Sequence, residues 1–301
     1  MEEKESSKQK LIENINITNK VRSYIPSPEQ ILEKSIEEKL LCCCLNYDLT
    51  ISEYKCFIDL KKKVIPPYDE NDETQELCLQ ALFSKSKQIL SNNKNNNKDS
   101  SSDLINNSTI TTNTSSKNKI NSEEESIWRK IGFQTGNPRT DFRAGGIFSL
   151  NLMNYFVNNH ENEYIKIINE DYFTFALVSI RLSYLIRIYL FLLSSEEIKV
   201  NLKYQKNILA TRKELKMFCY FLYDNNNLLF DIASIGIQFI YQKFIEEKKS
   251  GYKEVNYFLI DPIIIAAVQC LKDTLNNINI NDDFINELKK SYRENFLNGL
   301  K

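Results

Sequence analysis

Histidine is nearly missing from this chain: His160 stands alone among 301 residues. That removes most arrangements in which a histidine activates a serine or cysteine nucleophile. No C-x-x-C pair makes up for the absent imidazoles, so no metal site is expected. The seven cysteines are an odd set with poor spacing for a disulfide framework. Cys219 and Cys270 lie among apolar neighbours and read as core. Neither G-x-G-x-x-G nor G-x-x-x-x-G-K-[ST] occurs, so nothing indicates that the chain binds a nucleotide or other cofactor itself. A basic surplus is missing too, since the net charge is −1, and no global field favours nucleic acid. No run of about 18 uncharged apolar residues occurs, and the best candidate, 177–193, is interrupted by Arg181 and Arg187. Residues 1–10 are charged and lack an apolar centre, unlike a signal peptide. These absences predict a cytoplasmic, reducing setting, with the sequons at Asn16, Asn107 and Asn113 silent.

Glycine is scarce as well, but its distribution is informative. Four of the seven glycines, Gly132, Gly136, Gly145 and Gly146, fall within Trp128–Gly146. The same stretch holds the single tryptophan. Glycine adopts backbone shapes that other residues resist, so the clustering predicts a shaped loop. The stretch is also basic: Arg129, Lys130, Arg139 and Arg143 face one acid, Asp141.

The remainder reads as helix after helix. A polar tail, 1–27, is expected to be disordered. Pro28 suits a helix start, and apolar residues from Ile31 to Leu41 repeat at helical spacing up to the triple cysteine, 42–44. Small apolar residues on a helix face explain those cysteines better than acylation, because no polybasic neighbour supplies a second anchor. A short helix over 47–62 precedes Val64–Tyr68, which the two prolines predict to be extended. Another helix is expected over 74–90. Asn, Ser and Thr then make up most of 91–120, which reads as a disordered insertion. Order resumes at the acidic helix start Ser122–Glu125. Helices follow over 147–158, 172–193, 211–223 and 228–247, then from an Asp261 cap with Pro262 at the first position, and last over 282–297. The helix over 172–193 is apolar on two faces and is expected at the centre. Arg181 within it reads as a partner of a carboxylate or a support for the loop. No strand ladder is evident. The fold class is all-α, an irregular multi-helix bundle, with residues 28–301 as one domain around the insertion.

Within the central stretch, Thr140 or Asp141 is placed to cap a helix starting near Ala144. Phe142 is placed to anchor in the core. Arg143 then stands near a helix N-terminus, where the dipole disfavours a cation. Two readings follow: Arg143 pairs with Asp141 or another carboxylate, or it is presented outward to an anionic partner. His160, after an apolar helix, reads as a polar helix end.

The pattern Trp128-x3-Gly132-Phe133-Gln134-x3-Pro138-x-Thr140-Asp141-Phe142-Arg143 resembles the signature of the engulfment-and-cell-motility (ELMO) domain. It is close to the short branch that acts as GTPase-activating proteins on Arf-family GTPases. The resemblance extends to Leu40-Leu41, Pro66–Asp69, Gln75-Glu76, Leu150–His160 and Phe175–Ile180, and covers roughly residues 30–275. It implies that Arg143 is an arginine finger. It also implies that Gln134, Asn137 and Asp141 shape the loop or touch the GTPase, and that Trp128, Gly132, Phe133, Pro138, Thr140 and Gly146 give the loop its form. The implied partner is a GTP-bound Arf or Arf-like GTPase, which would recruit the protein to membranes. The chain departs from the family pattern at Ala144 and Gly145, where glycine and then methionine are frequent. The alternative is a noncatalytic ELMO-type scaffold that binds a Rac exchange factor. The larger scaffolds carry further domains that 301 residues do not accommodate, and they lack the motif arginine.

Overall fold

The computed structural model describes residues 49–96, 122–194, 197, 209–249 and 257–298. The expected tail at 1–27, the helix ending in Cys42–Cys44 and most of the Asn-rich insertion lie outside them. Every regular element described is helical. In chain order they are α1 (Ile51–Val64), α2 (Glu73–Asn96), α3 (Ser122–Ile131), a 3₁₀ turn (Pro138–Arg143), α4 (Gly146–Asn159), α5 (Glu161–Ile168), α6 (Phe175–Tyr189), α7 (Arg212–Asp224), α8 (Leu228–Lys249), α9 (Tyr257–Asn277) and α10 (Phe284–Asn298). The fold class is all-α, as expected.

Helix starts follow local chemistry. Thr50 caps α1: its Oγ1 accepts from the Glu53 amide at 3.2 Å, and Glu53 Oε2 accepts from the Thr50 amide at 2.7 Å. Thr211 and Glu214 repeat this reciprocal pair at α7. The centre of the bundle is α6, most of whose residues are buried, set against α4, α8 and α9. α8 has the length and apolarity to cross a membrane, but two-thirds of its apolar window is buried inside the fold. It also carries Asp231, which accepts from Tyr155 Oη at 2.6 Å.

Several boundaries differ from expectation for identifiable reasons. Val64 is helical rather than extended, and Ile65 follows at φ −73°, ψ −39°. The Ile65 amide reaches Lys61 O at 3.0 Å, which offsets the pre-proline penalty for one residue. α2 runs on to Asn96, into the stretch expected to be disordered. α6 is shorter than 172–193 because Tyr172 (φ 71°) and Phe191 (φ 55°) have left-handed backbones that no helix continues through. α9 begins at Tyr257, so Pro262 lies inside it and Asp261 is not its cap. Ile263 and Ile264 are buried, while Ile265 is 48% exposed. α5 is a helix that the apolar spacing did not announce.

Candidate functional site

The Trp128–Gly146 loop is built on α3. Its helix ends in a Schellman closure: the Phe133 amide donates to Trp128 O at 3.2 Å and the Gly132 amide to Arg129 O at 3.0 Å. Gly132 takes φ +101°, and a Cβ there would lie 2.7 Å from the backbone of Thr174 and Phe175. No other residue fits that position without displacing the start of α6. At the far end Gly146 takes φ +58°, and a Cβ would meet Pro66 O at 2.8 Å. The Ile147 amide donates to the same carbonyl at 3.2 Å.

Aromatic rings form a continuous floor beneath the loop. Phe83 meets Trp128 at 5.1 Å between centroids, Trp128 meets Phe133 at 5.4 Å, Phe133 meets Phe142 at 5.7 Å, and Phe142 meets Tyr68 at 4.8 Å. Trp128, Phe133 and Phe142 are buried. Such offset and edge-on pairs add about 0.5–1.5 kcal/mol each beyond area burial.

Polar closures shape the upper side. Asn137 Oδ1 accepts from the Arg139 amide at 3.2 Å and caps the 3₁₀ turn, whose first residue, Pro138, is buried. Thr140 Oγ1 donates to Asn137 O at 3.0 Å. Asp141 Oδ2 accepts from the Gln134 amide at 2.8 Å. Neither Thr140 nor Asp141 caps α4, contrary to the sequence expectation, because both lie within the 3₁₀ turn. The residue before α4 is Gly145, with no side-chain cap.

The four cations of the loop divide three to one. Arg129 pairs with Glu125 at 2.8 Å and Lys130 with Asp171 at 3.3 Å. Arg139 Nε donates to Glu76 Oε1 at 2.9 Å, and its Nη2 donates to Oε2. Arg143 is exposed and, among the described residues, makes no hydrogen bond or ion pair. Of the two readings of Arg143, pairing with Asp141 is therefore absent here.

A family model for the ELMO/CED-12 family matches residues 59–259, which include the whole loop and its supports. The chain belongs to the ELMO/CED-12 family. Among curated proteins it is similar to ELMO domain-containing protein 2 of Homo sapiens, 29% identical over 141 residues, covering 44% of this chain and 47% of the relative. The Bos taurus protein of the same name is 28% identical over a match of the same length. ELMO domain-containing protein A of Dictyostelium discoideum is 41% identical over 51 residues, 17% of this chain and 5% of that protein. The chain thus matches about half the length of the ELMO domain-containing protein 2 relatives. No solved structure matches it.

In this ELMO/CED-12 chain the sequence-predicted site residues come together on one loop, but with divided roles. Trp128, Gly132, Phe133, Pro138, Phe142 and Gly146 form its frame. Gln134, Thr140 and Arg143 are exposed, and Asn137 is half-buried. Arg181 pairs with Asp261 at 2.8 Å, as its reading as a partner of a carboxylate expected. The loop's support is Arg187, which sequence reasoning noted only as a break in an apolar run. It is 2% exposed and donates Nη1 to Ala144 O at 3.3 Å, Nε to Leu192 O at 3.0 Å and Nη2 to Glu197. An arginine one turn and a half beyond the first, inside so apolar a helix, was the available signal.

Titration follows these contacts. Burial works against the Glu76 carboxylate, but hydrogen bonds from Arg139 and Tyr68 outweigh it and hold Glu76 below its ordinary value. The Glu76 hydrogen bond raises Arg139 in turn. Burial pushes Tyr68 up, reinforced by Glu76. Among the described residues no group of three or more His, Cys, Asp and Glu gathers to hold a metal. A separate cleft of about 490 Å³, lined by Cys56, Lys63, Phe148, Leu222 and Phe230 among others, contains one carboxylate, Asp59, and no histidine.

Proposed function

We propose that this chain is a GTPase-activating protein for Arf-family or Arf-like GTPases, and that it supplies Arg143 in trans as an arginine finger. The isolation of Arg143 carries the reading. Three neighbouring cations are neutralised, while Arg143 stands exposed and unpaired among the described residues. It follows the buried anchor Phe142 directly and precedes the start of α4, where the helix dipole disfavours a cation by about 0.3–1 kcal/mol. A partner's phosphate would relieve that cost.

The chemistry suits the residue. As water attacks GTP, negative charge grows around the γ-phosphate and the β–γ bridge. A planar guanidinium offers permanently charged donors in a fork that matches those oxygens. In other GTPases such an arginine is worth about 10³–10⁵ in rate. Gln134, exposed, and Asn137, half-buried on the same loop, would meet the GTPase surface. Asp141 already engages the Gln134 amide and would act by holding the loop. On this reading the protein works in the cytoplasm and reaches membranes through its GTPase.

The test is hydrolysis by a panel of GTP-loaded Arf and Arf-like GTPases with wild type and Arg143→Lys. Wild type should stimulate at least one member. Lysine keeps the charge but loses the fork, so Arg143→Lys should lose most of the stimulation. If wild type stimulates none, the function is wrong. If Arg143→Lys is fully active, the activity stands and the finger assignment fails. Capture of a Rac exchange factor by wild type and Arg143→Ala alike, without stimulation, would support the scaffold reading.

A further inference from the structure

The geometry points to Glu76 as the positioning residue that presets the Arg143 turn, acting through Arg139 and Tyr68. This deepens the reading of Arg143 as a finger and rests on it. Glu76 lies near the start of α2, far in sequence from the loop. Its carboxylate gathers three segments. Oε1 accepts from Arg139 Nε at 2.9 Å and also from Tyr68 Oη, while Oε2 accepts from Arg139 Nη2. Arg139 is the second residue of the 3₁₀ turn that ends in Arg143. Tyr68 stacks on Phe142, the residue before Arg143, with centroids 4.8 Å apart. One carboxylate therefore fixes the turn near its beginning and, through Tyr68, just before its end.

The same contacts tie the turn to α2 rather than to the central helices. The Glu76 and Arg139 side chains are each 25% exposed and meet as a forked pair. α2 is anchored independently by Leu79, Leu82 and Ile89, all buried. Removing the Glu76 charge should thus leave α2 docked while freeing the turn. It should also free Arg139, which would become a second unpaired cation competing for the same partner phosphates. A reacting group needs its geometry set before the partner arrives, and a shift of about 1 Å costs on the order of 10²-fold in rate.

Glu76→Gln is nearly isosteric, removes the charge and turns one acceptor oxygen into an NH2 donor, so the fork to Arg139 is broken; Tyr68→Phe removes one hydroxyl. Two measurements are made on the full chain. The first is single-turnover GTP hydrolysis against activator concentration with a responsive GTPase. The second is amide hydrogen exchange of residues 139–144 in the free protein. Glu76→Gln should lower the maximal rate about tenfold to 100-fold while the half-saturating concentration moves less than about twofold. Exchange in the turn should rise about tenfold with α2 unchanged and the melting temperature lowered by about 2–4 °C at most. Tyr68→Phe should give a smaller effect of the same kind. Arg139→Gln should give a loss of the same kind but smaller than Glu76→Gln, because it leaves the Tyr68 contact in place and frees no cation, and the double variant should lose less than the two single losses combined.

Loss confined to the half-saturating concentration would make Glu76 a partner contact and overturn the proposal. A rise in exchange spreading through α2, or an unchanged maximal rate, would overturn it as well. If wild type activates no GTPase, the functional reading fails separately, and the exchange measurement alone decides whether Glu76 orders the turn.

Discussion

Glycine serves opposite purposes in the loop and in the helical body. Gly132 has φ +101°, and a Cβ would press against fixed backbone of Thr174 and Phe175 at 2.7 Å. Gly236, inside α8, has no such conformation, and a Cβ would meet Leu182 Cδ2 at 3.0 Å, the mobile end of a side chain. The contrast extends to the two regions as wholes. The body gets its order from many interchangeable apolar contacts around α6, such as Leu182, Leu185, Ile188 and their neighbours. The loop gets its order from a short series of closures: the Schellman end, the Asn137 cap, the Asp141 bond to Gln134, the Glu76 ion pair and the Arg187 brace. A region held by few specific contacts presents one shape to a partner, and single changes can alter that shape.

The sharpest way to break the comparison is at Arg187, where body and loop meet. Its guanidinium is 2% exposed and serves Ala144 O, Leu192 O and Glu197. Burial works against its charge and the nearby Glu197 supports it. Arg187→Met keeps much of the volume and leaves these groups unpaired. Each carbonyl left without its donor costs about 1–3 kcal/mol, while Glu197, 35% exposed, regains water. Urea unfolding should show that loss as a lower midpoint with an unchanged slope. A cost below about 1 kcal/mol would mean that the brace is dispensable.

Next in size is the glycine pair itself. Gly132→Ala should cost about 1–3 kcal/mol in backbone strain alone, with further loss from the contact against Thr174. Gly236→Ala should stay within about 1 kcal/mol, since gained helix propensity offsets mild crowding. Thermal unfolding of both variants tests the distinction, and equal losses would erase it.

How much of this was legible beforehand depends on the kind of contact. The loop was legible as an object because its chemistry is unusual in composition: scarce glycines, the one tryptophan and unbalanced cations. The bundle was legible because spacing reports burial, as at Phe284, Leu288 and Tyr292, which fall on one helix face and are all buried. Partners far apart in sequence left no such trace. Nothing near Arg139 names Glu76, and nothing near Arg181 or Arg187 says which one reaches the loop. Both arginines interrupt the same apolar helix; which carbonyl or carboxylate each meets depends on how α9 and the loop dock against it. The start of α9 was the other gap: a proline that suits a first position also sits inside a helix that begins at Tyr257.

A smaller effect tests the body through the carboxylate partner of Arg181. Arg181 and Asp261 join α6 to α9 with side chains 31% and 29% exposed. Asp261→Asn should cost about 0.2–1 kcal/mol and leave GTPase stimulation unchanged. A loss of stimulation would return Arg181 to the loop's support.

The smallest effect concerns pH and falls on a single group. Burial holds His160 below its ordinary value, against the opposing pull of Glu163 and Asp231. The ring faces Gln238 Nε2 at 3.2 Å and stacks near Phe156 at 5.2 Å. With the folded value depressed, the unfolded chain takes up the proton first as pH falls. Stability should therefore decline as pH drops through about 6.5 and level off below the folded value. Because His160 is the only histidine, that slope belongs to one imidazole. His160→Gln should flatten the melting temperature between about pH 7.5 and pH 5. The site lies where α4 gives way to α5, so the loop should not respond: Arg143-dependent stimulation should keep its pH profile while the body's stability changes its own. A shift of both together would mean that the loop and the body are less separable than their contacts indicate.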